Sequence, residues 1–559
     1  MPDRVVDHLV RTVADLGITH IFGVDGANIE DLYDAMFEAG GRPAGIVAKH
    51  EFSAATMADG YARSTGGLGV VAATSGGGAM NLVAGLAESH ASRVPVLALV
   101  GQPPTALEGK GAFQDSSGRA GALDAVALFS AISVYCARVT DPDEAPAQLA
   151  AAIAAARRGG PAVLLLPKDV QQAELSPGPR APIPGRQRAA PDLRALTEAL
   201  AAARGRGKIV VLAGDQAARD SARDAFAELV ACLDAAVGLA PDAKDVYDNS
   251  APGYCGVAGS MGHPELTAAL TAAETVLLVG TRLPVTARAG LDPLLAGRTV
   301  LSIGAEPPFV PAEHTPADDL ATALTALTAA LDDHRPAPAT GPGTPALTPL
   351  AVPAASGPGL RYRELVETID RELPTGTDVF VDAGNTGASV VHHLRVPRGG
   401  RFVVALGMGG MGYAFGAGIG SAFARHDAAD GPHRTVVIAG DGAFYMHGME
   451  IHTAVEHDLP VTFVVLNNNA HAMCVTREQV FYRDRYSFNR FRDTHIGAGV
   501  AAMFPGLPAR TVTDPAGLTD ALRTCLHTGG PAFLEIVCDP DEIPPFTPFL
   551  ATPHPRSPS

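Results

Sequence analysis

The sequence predicts an α/β protein of three consecutive doubly wound parallel-sheet domains, and three observations carry that reading. Short apolar runs of strand length recur along the chain and alternate with stretches of helical periodicity. Two segments rich in Pro, Gly and Ala, one opening at Glu174 and the other at Arg335, interrupt that alternation. The length of 559 residues corresponds to about three domains of ordinary size.

The first part, residues 1–174, carries buried strands in AGIVAKH, GVVAAT, PVLALVG and PAVLLLP. The middle part, residues 190–334, repeats the habit with KIVVLAG, TVLLVG and TVLSIG. A linker, 335–358, leads into the last part, 359–545, with DVFVDAG, FVVALG, VVIAG, VTFVVLN and AFLEIV, before a tail, 546–559. Within the last part, Val436 to Ala439 reads as a strand, Met446 to Asp458 as a helix and Val461 to Leu466 as a second strand. In such a βαβ unit the carboxyl ends of both strands share one edge of the sheet, where open α/β folds bind ligands. Asp441 of Gly-Asp-Gly and Asn468 of Asn-Asn therefore converge. A carboxylate, an amide oxygen and a nearby main-chain carbonyl are hard donors, too few to fill a magnesium shell alone, which suits a metal that also holds phosphate. Gly440 and Gly442 let backbone amides approach that phosphate. An ordinary turn with Asp441 as a helix cap explains Gly-Asp-Gly alone, but not the paired Asn ending.

Composition narrows the function classes. A chain that is 47% hydrophobic and 18% charged is globular, and its formal charge of -17 argues against nucleic acid or an anionic membrane as partner. Cys136, Cys232, Cys255, Cys474, Cys525 and Cys538 show no CxxC spacing, so neither a zinc site nor a disulfide framework is indicated, and a cytoplasmic location is expected. The opening residues alternate charge with apolar positions, and no apolar run reaches membrane-spanning length. Gly407 to Gly412 satisfies GxGxxG between a strand and a helix, yet the ribose-binding acid expected further on is replaced by Gly-Asp-Gly. A cofactor with a diphosphate and a metal competes better. His447, His452 and His457 recur every five residues and turn to different helix faces, so with the adjacent His392 and His393 they form no metal box.

These motifs resemble those of thiamine diphosphate-dependent enzymes, the superfamily of acetohydroxyacid (acetolactate) synthase, pyruvate decarboxylase and benzaldehyde lyase. The resemblance covers nearly the whole chain and rests on IFGVDGANIEDLYDA, AKHEFSAATMADGYAR, ATSGGGAMN, PVLALVGQPP, GAFQD, GPAVLLLPKDV and the Gly-Asp-Gly to Asn-Asn signature, in the family's order. It implies that the first domain binds the pyrimidine and the last the diphosphate. It implies that Asp441, Asn468 and the Ala470 carbonyl ligate Mg2+, and that Glu51 hydrogen-bonds the pyrimidine to trigger loss of the thiazolium C2 proton. By the same resemblance Met411 wedges between the cofactor's rings and Gly409 offers its carbonyl. Asn385 and Thr386 belong to the loop covering the diphosphate, the amides of Gly442 and Ala443 complete the cradle with Gly440, and Gly26 touches the cofactor.

The pocket residues distinguish the branches. Gln114 resembles the glutamine of carboligating members, and the paired histidines typical of pyruvate decarboxylase are absent from the equivalent region. Departures are Asp25 and Gly77 for prolines, Ala27 for a glycine, and Arg477 about where acetohydroxyacid synthases carry tryptophan; Ala27 and Arg477 are therefore assigned to the substrate pocket. An arginine there could pair bidentately with an acceptor carboxylate. In the middle part, VGTRLPVTARAGL resembles the flavin-binding pattern in keeping its arginine but lacks the acidic follow-on, which leaves FAD open. The expected enzyme is acetolactate synthase-like, decarboxylating a 2-oxo acid and joining the acyl unit to a second carbonyl compound. A simple decarboxylase releasing an aldehyde, and a non-catalytic cofactor-binding or regulatory subunit, are the alternatives. A homodimer or homotetramer with active sites at the subunit interface is expected.

Overall fold

The computed structural model describes residues 3–177, 182–185, 190–332, 346–426 and 433–550. Parts of both proline-rich segments and the tail from residue 551 lie outside them, so the predicted linker is described only from 346. Residues 547–550, expected to be tail, instead form a helical turn with Phe549 buried.

Three six-stranded sheets, parallel throughout, follow one another along the chain. The first runs, edge to edge, Ala44–Val47, His20–Val24, Gly69–Ala73, Val96–Gln102, Pro161–Pro167, Tyr135–Arg138. The third repeats that topology with Phe402–Val404, Asp378–Val381, Thr435–Gly440, Val461–Asn467, Ala532–Val537 and Ala509–Val512. In both, the chain reverses direction across the sheet between the second and third strands of that order, and the crevice at such a switch point takes ligands. The central sheet is wound differently, with Lys208–Ala213 inside and Glu313–Pro316 and Tyr254–Val257 at its edges.

The fully buried strands are those whose apolar runs the sequence displays, such as Gly69–Ala73 and Val461–Asn467. The edge strands Tyr135–Arg138, Glu313–Pro316 and Ala509–Val512 are only partly covered and have no such run. One expected helix is corrected. The segment predicted as a helix over Met446 to Asp458 begins earlier, at Asp441–His447, passes through a tight 3-10 turn at Gly448–Glu450 and resumes as Ile451–Glu456. Phe444 packs so closely on Gly448 that a Cβ there would collide with the ring, and Glu450 turns inward to accept from the Lys49 amide, 3.1 Å away.

The first and third domains share a core. Helix Glu51–Thr65 crosses helix Tyr413–Arg425 at a line of small residues, and a Cβ on Gly60 would meet the carbonyl of Ala417. That contact lets two backbones touch, which a longer side chain would forbid. Asp59, fully buried at the crossing, accepts from Arg63 Nε (2.6 Å), Ser89 Oγ (2.8 Å) and the Tyr413 hydroxyl. The half-sites on the two sheets are thus fixed to one rigid seam.

Candidate active site

The third sheet places one half of the site at its switch point. Thr435–Gly440 ends where helix Asp441–His447 begins, so Asp441 stands in the first turn with its carboxyl 1% exposed. Val461–Asn467 runs alongside and delivers Asn468. Asp441 Oδ2 (3.1 Å) and Asn468 Oδ1 (3.0 Å) both accept from the Ala470 amide, so the two side-chain oxygens converge as the sequence predicted. The Asn468 amide is held from behind, donating to the Tyr362 hydroxyl at 2.9 Å. Burial raises Asp441 to about 7, against the pull of the Gly442 and Ala470 amides, and no cationic side chain among the described residues offsets it. A divalent cation would. Among the described residues no cluster of three or more His, Cys, Asp or Glu side chains could hold a metal.

The cradle beside these oxygens fits a diphosphate. A Cβ on Gly442 would sit 3.1 Å from Met411 Cε and 3.3 Å from His471 Nε2, so the glycine leaves open a notch that any other residue fills. Asn385 and Thr386, both buried, lie in the first turn of helix Gly384–His393 rather than in a loop, and a Cβ on Gly440 would come within 3.5 Å of Thr386 Oγ1. Two helix starts therefore lie side by side, the setting in which backbone amides meet an anion. Asn385 Oδ1 is buried with no hydrogen-bond partner among the described residues.

The first sheet supplies the other half. Glu51 opens helix Glu51–Thr65, capped by His50, whose Nδ1 accepts from the Phe52 amide at 3.0 Å. Its carboxyl is buried, with Oε2 accepting from Asn81 Nδ2 at 2.9 Å and Oε1 against Gly78, where a Cβ would lie 2.9 Å away. Gln114 holds a left-handed backbone (φ 61°) and packs over Gly76; its Oε1 accepts from Ser75 Oγ (3.3 Å), which accepts from Asn28 Nδ2 (2.7 Å). Gly26 fits against Thr74, where a Cβ would come within 2.8 Å. Glu51, Gly26 and Gln114 thus share one sheet edge. Ala27 is exposed, its carbonyl accepting from Lys168 Nζ at 2.7 Å. Arg477 is exposed on helix Ala472–Tyr482, and no ion pair within 4 Å is found for it among the described residues.

Two carboxylates that the sequence reading did not single out fasten the Gly407 to Gly412 loop. Glu88, 2% exposed on helix Val83–Ala91 of the first domain, accepts from the amides of Gly407 (3.1 Å), Met408 (2.6 Å) and Gly409 (3.2 Å). Asp382, at the end of strand Asp378–Val381, accepts from Gly412 (2.9 Å) and Ala414 (3.0 Å), and burial lifts it to about 6 against those amides. Gly412 at φ 89° makes the turn into the following helix. Met411 and Gly409 are consequently presented on a loop gripped at both ends. His471 at the Gly442 notch was also missed, whereas His447, which the sequence reading kept out of any metal set, stacks on Phe52 at 4.3 Å and is pushed down to about 4 by burial. Asp382 had a legible signal, an acid directly after a buried strand; Glu88 had none.

In the central domain, Arg282 pairs with Glu306 (3.1 Å) and lies over the Phe309 ring (4.2 Å). Gln216 fills the notch between Gly280 and Gly304 and accepts from the Ala305 amide at 2.8 Å.

Two half-sites lie on sheets of matching topology, one gathering the Asp441 and Asn468 oxygens beside the Gly442 notch and the other presenting the buried Glu51 carboxyl. Three family models match in succession: "Thiamine pyrophosphate enzyme, N-terminal TPP binding domain" over residues 3–122, its "central domain" over 193–331 and its "C-terminal TPP binding domain" over 382–536. The "Probable acetolactate synthase large subunit" of Methanocaldococcus jannaschii is 28% identical, over 97% of this chain and 93% of its own. The "Acetolactate synthase isozyme 2 large subunit" of Escherichia coli K12 is 27% identical over 95% of each. A thiamin diphosphate-dependent enzyme from Mycobacterium smegmatis shares the fold at a TM-score of 0.80 and 22% identity, over 96% of this chain and 99% of its own. The chain belongs to the thiamine diphosphate-dependent enzymes, in the superfamily that includes the acetolactate synthases.

Proposed function

We propose that this enzyme is acetolactate synthase-like: it binds thiamine diphosphate with Mg2+, decarboxylates a 2-oxo acid and ligates the acyl unit to a second carbonyl compound. The observation that carries the reading is the convergence of Asp441 and Asn468 oxygens on the Ala470 amide beside an open glycine notch. When bound there, thiamine diphosphate supplies the electron sink for breaking and making bonds to the substrate's carbonyl carbon.

This chain's residues do the rest. Asp441, Asn468 and the Ala470 carbonyl would hold the metal, and the helix starts at Gly442 and Asn385 would receive the diphosphate. Met411 and Gly409 would position the cofactor from a loop that Glu88 and Asp382 hold still. Glu51 would exchange a proton with the pyrimidine, and the Asn81 bond keeps its carboxyl aimed. Gln114, able to donate and accept without adding charge, would orient the reacting carbonyl, steadied by Ser75 and Asn28. Ala27 and Arg477 would shape the acceptor side.

Among the described residues, Glu51 is bonded within the first domain and Asp441 within the third, with no contact between them. Beside the cofactor loop, Met408 is 63% exposed and Met446 and Met449 about half so, an apolar margin that a second copy would cover. We therefore assign the complete site to a homodimer or higher homo-oligomer. Sedimentation across a dilution series with activity read in parallel tests this: activity should vanish with dissociation, and a fully active monomer would contradict it.

A further inference from the structure

Where the three domains meet, away from the half-sites, lies a cavity of about 420 Å3. That is a size that takes small organic ligands. Arg63 and Arg157 reach it from the first domain, Arg219 from the central domain and Arg401 from the third, with Leu68 and Phe402 among its apolar walls. Six arginines line it against four aspartates, in a chain whose formal charge is -17. Its cations are only partly answered. Arg219 pairs with Asp215 and Arg63 Nε with Asp59, but Arg63 Nη2 is buried without a hydrogen-bond partner among the described residues, and so is Arg401 Nε. Arg157 has no ion pair there either. Burial, reinforced by Arg223, lowers Arg401, and burial beside Asp215 pushes Asp242 up to about 7, which thins the negative side further. Buried guanidinium donors left unpaired are costly, and an anion relieves that cost.

We propose that this junction cavity binds a compact organic dianion, a phosphate monoester or a dicarboxylate carried on an apolar body. The charge meets the converging guanidinium groups and the body meets Leu68 and Phe402. The cavity borders elements that carry the half-sites, for Arg63 rides on the helix that opens with Glu51 and Phe402 begins the strand leading to the Gly407 to Gly412 loop.

The test is isothermal titration of holoenzyme saturated with thiamine diphosphate and Mg2+, so that the cofactor's own anion site is filled. Phenyl phosphate and isophthalate probe the two forms of dianion, and benzyl alcohol the apolar body alone. One saturable site is expected for at least one dianion and none for benzyl alcohol, with affinity about tenfold or more weaker in Arg157→Gln and in Arg401→Gln. Arg157 is half-buried at the rim, so that variant keeps the test decisive if Arg401→Gln does not fold. No saturable dianion binding, equal binding of benzyl alcohol, or unchanged affinity in Arg157→Gln overturns the proposal.

Discussion

Glu88→Gln removes one negative charge from the first domain and should be felt at the cofactor in the third. One carboxylate oxygen takes the Gly407 amide and the Ser92 hydroxyl (2.8 Å), the other takes Met408 and Gly409. A glutamine keeps one acceptor. If its oxygen faces Met408 and Gly409, the Ser92 hydroxyl can turn to accept from the new NH2 group, but the Gly407 amide then faces a donor. Gly407 is exposed and water can take its amide, so the loss is that of one hydrogen bond, roughly 0.5–1.5 kcal/mol, a factor of about 2 to 13. The seam around Asp59 is untouched, so this cost should fall on the loop rather than on the fold. Cofactor affinity, titrated at fixed Mg2+, should weaken within that range, and the thiazolium C2 proton of bound cofactor should exchange more slowly by NMR. Wild-type affinity together with wild-type exchange would refute the idea that Glu88 positions the loop.

Other perturbations separate the remaining roles. Asp441→Ala should abolish most Mg2+-dependent cofactor binding, and equal affinity at limiting Mg2+ would take Asp441 out of the metal set. Glu51→Gln should bind cofactor but slow C2 proton exchange by about 10² or more, and unchanged exchange would remove Glu51 from the proton relay. Gln114→Ala should shift products from ligation toward released aldehyde while carbon dioxide release persists; an unchanged product ratio would detach it from the reacting carbonyl. His392 is pushed down to about 4 by burial, its ring stacked on His263 at 4.3 Å. Between pH 6.5 and 4 the unfolded chain takes up a proton there that the folded chain does not, so stability should fall as pH drops through that window. His392→Gln should flatten that part of a urea-denaturation pH profile, and an identical slope would show that another group causes it.

How much could be read in the sequence follows from where the information lies. Asp441 and Asn468 were legible because each directly ends a buried apolar run, and parallel winding brings such ends together. Glu51 was legible only through its motif, since an acid opening an Ala-rich helix is also what a helix start prefers. Glu51 is indeed the first residue of its helix. Glu88 was illegible because its partners lie 319 to 321 residues away, and only tertiary packing makes them neighbours. Strands such as Tyr135–Arg138, half-covered at a sheet edge, show no apolar run to find. The helix expected over Met446 to Asp458 was misplaced because its periodicity continues through Gly448, where contact with Phe444 breaks it.

The most direct test of the proposed chemistry is product analysis by mass spectrometry. Holoenzyme would be fed a panel of isotopically labelled 2-oxo acids, each alone and with a panel of 2-oxo acid and aldehyde acceptors. The account predicts carbon dioxide release that requires thiamine diphosphate and Mg2+, with the labelled acyl carbons recovered in a carbon-carbon-bonded hydroxy ketone or hydroxy oxo acid. Free aldehyde as the sole product with every acceptor, or no decarboxylation of any 2-oxo acid, would contradict it.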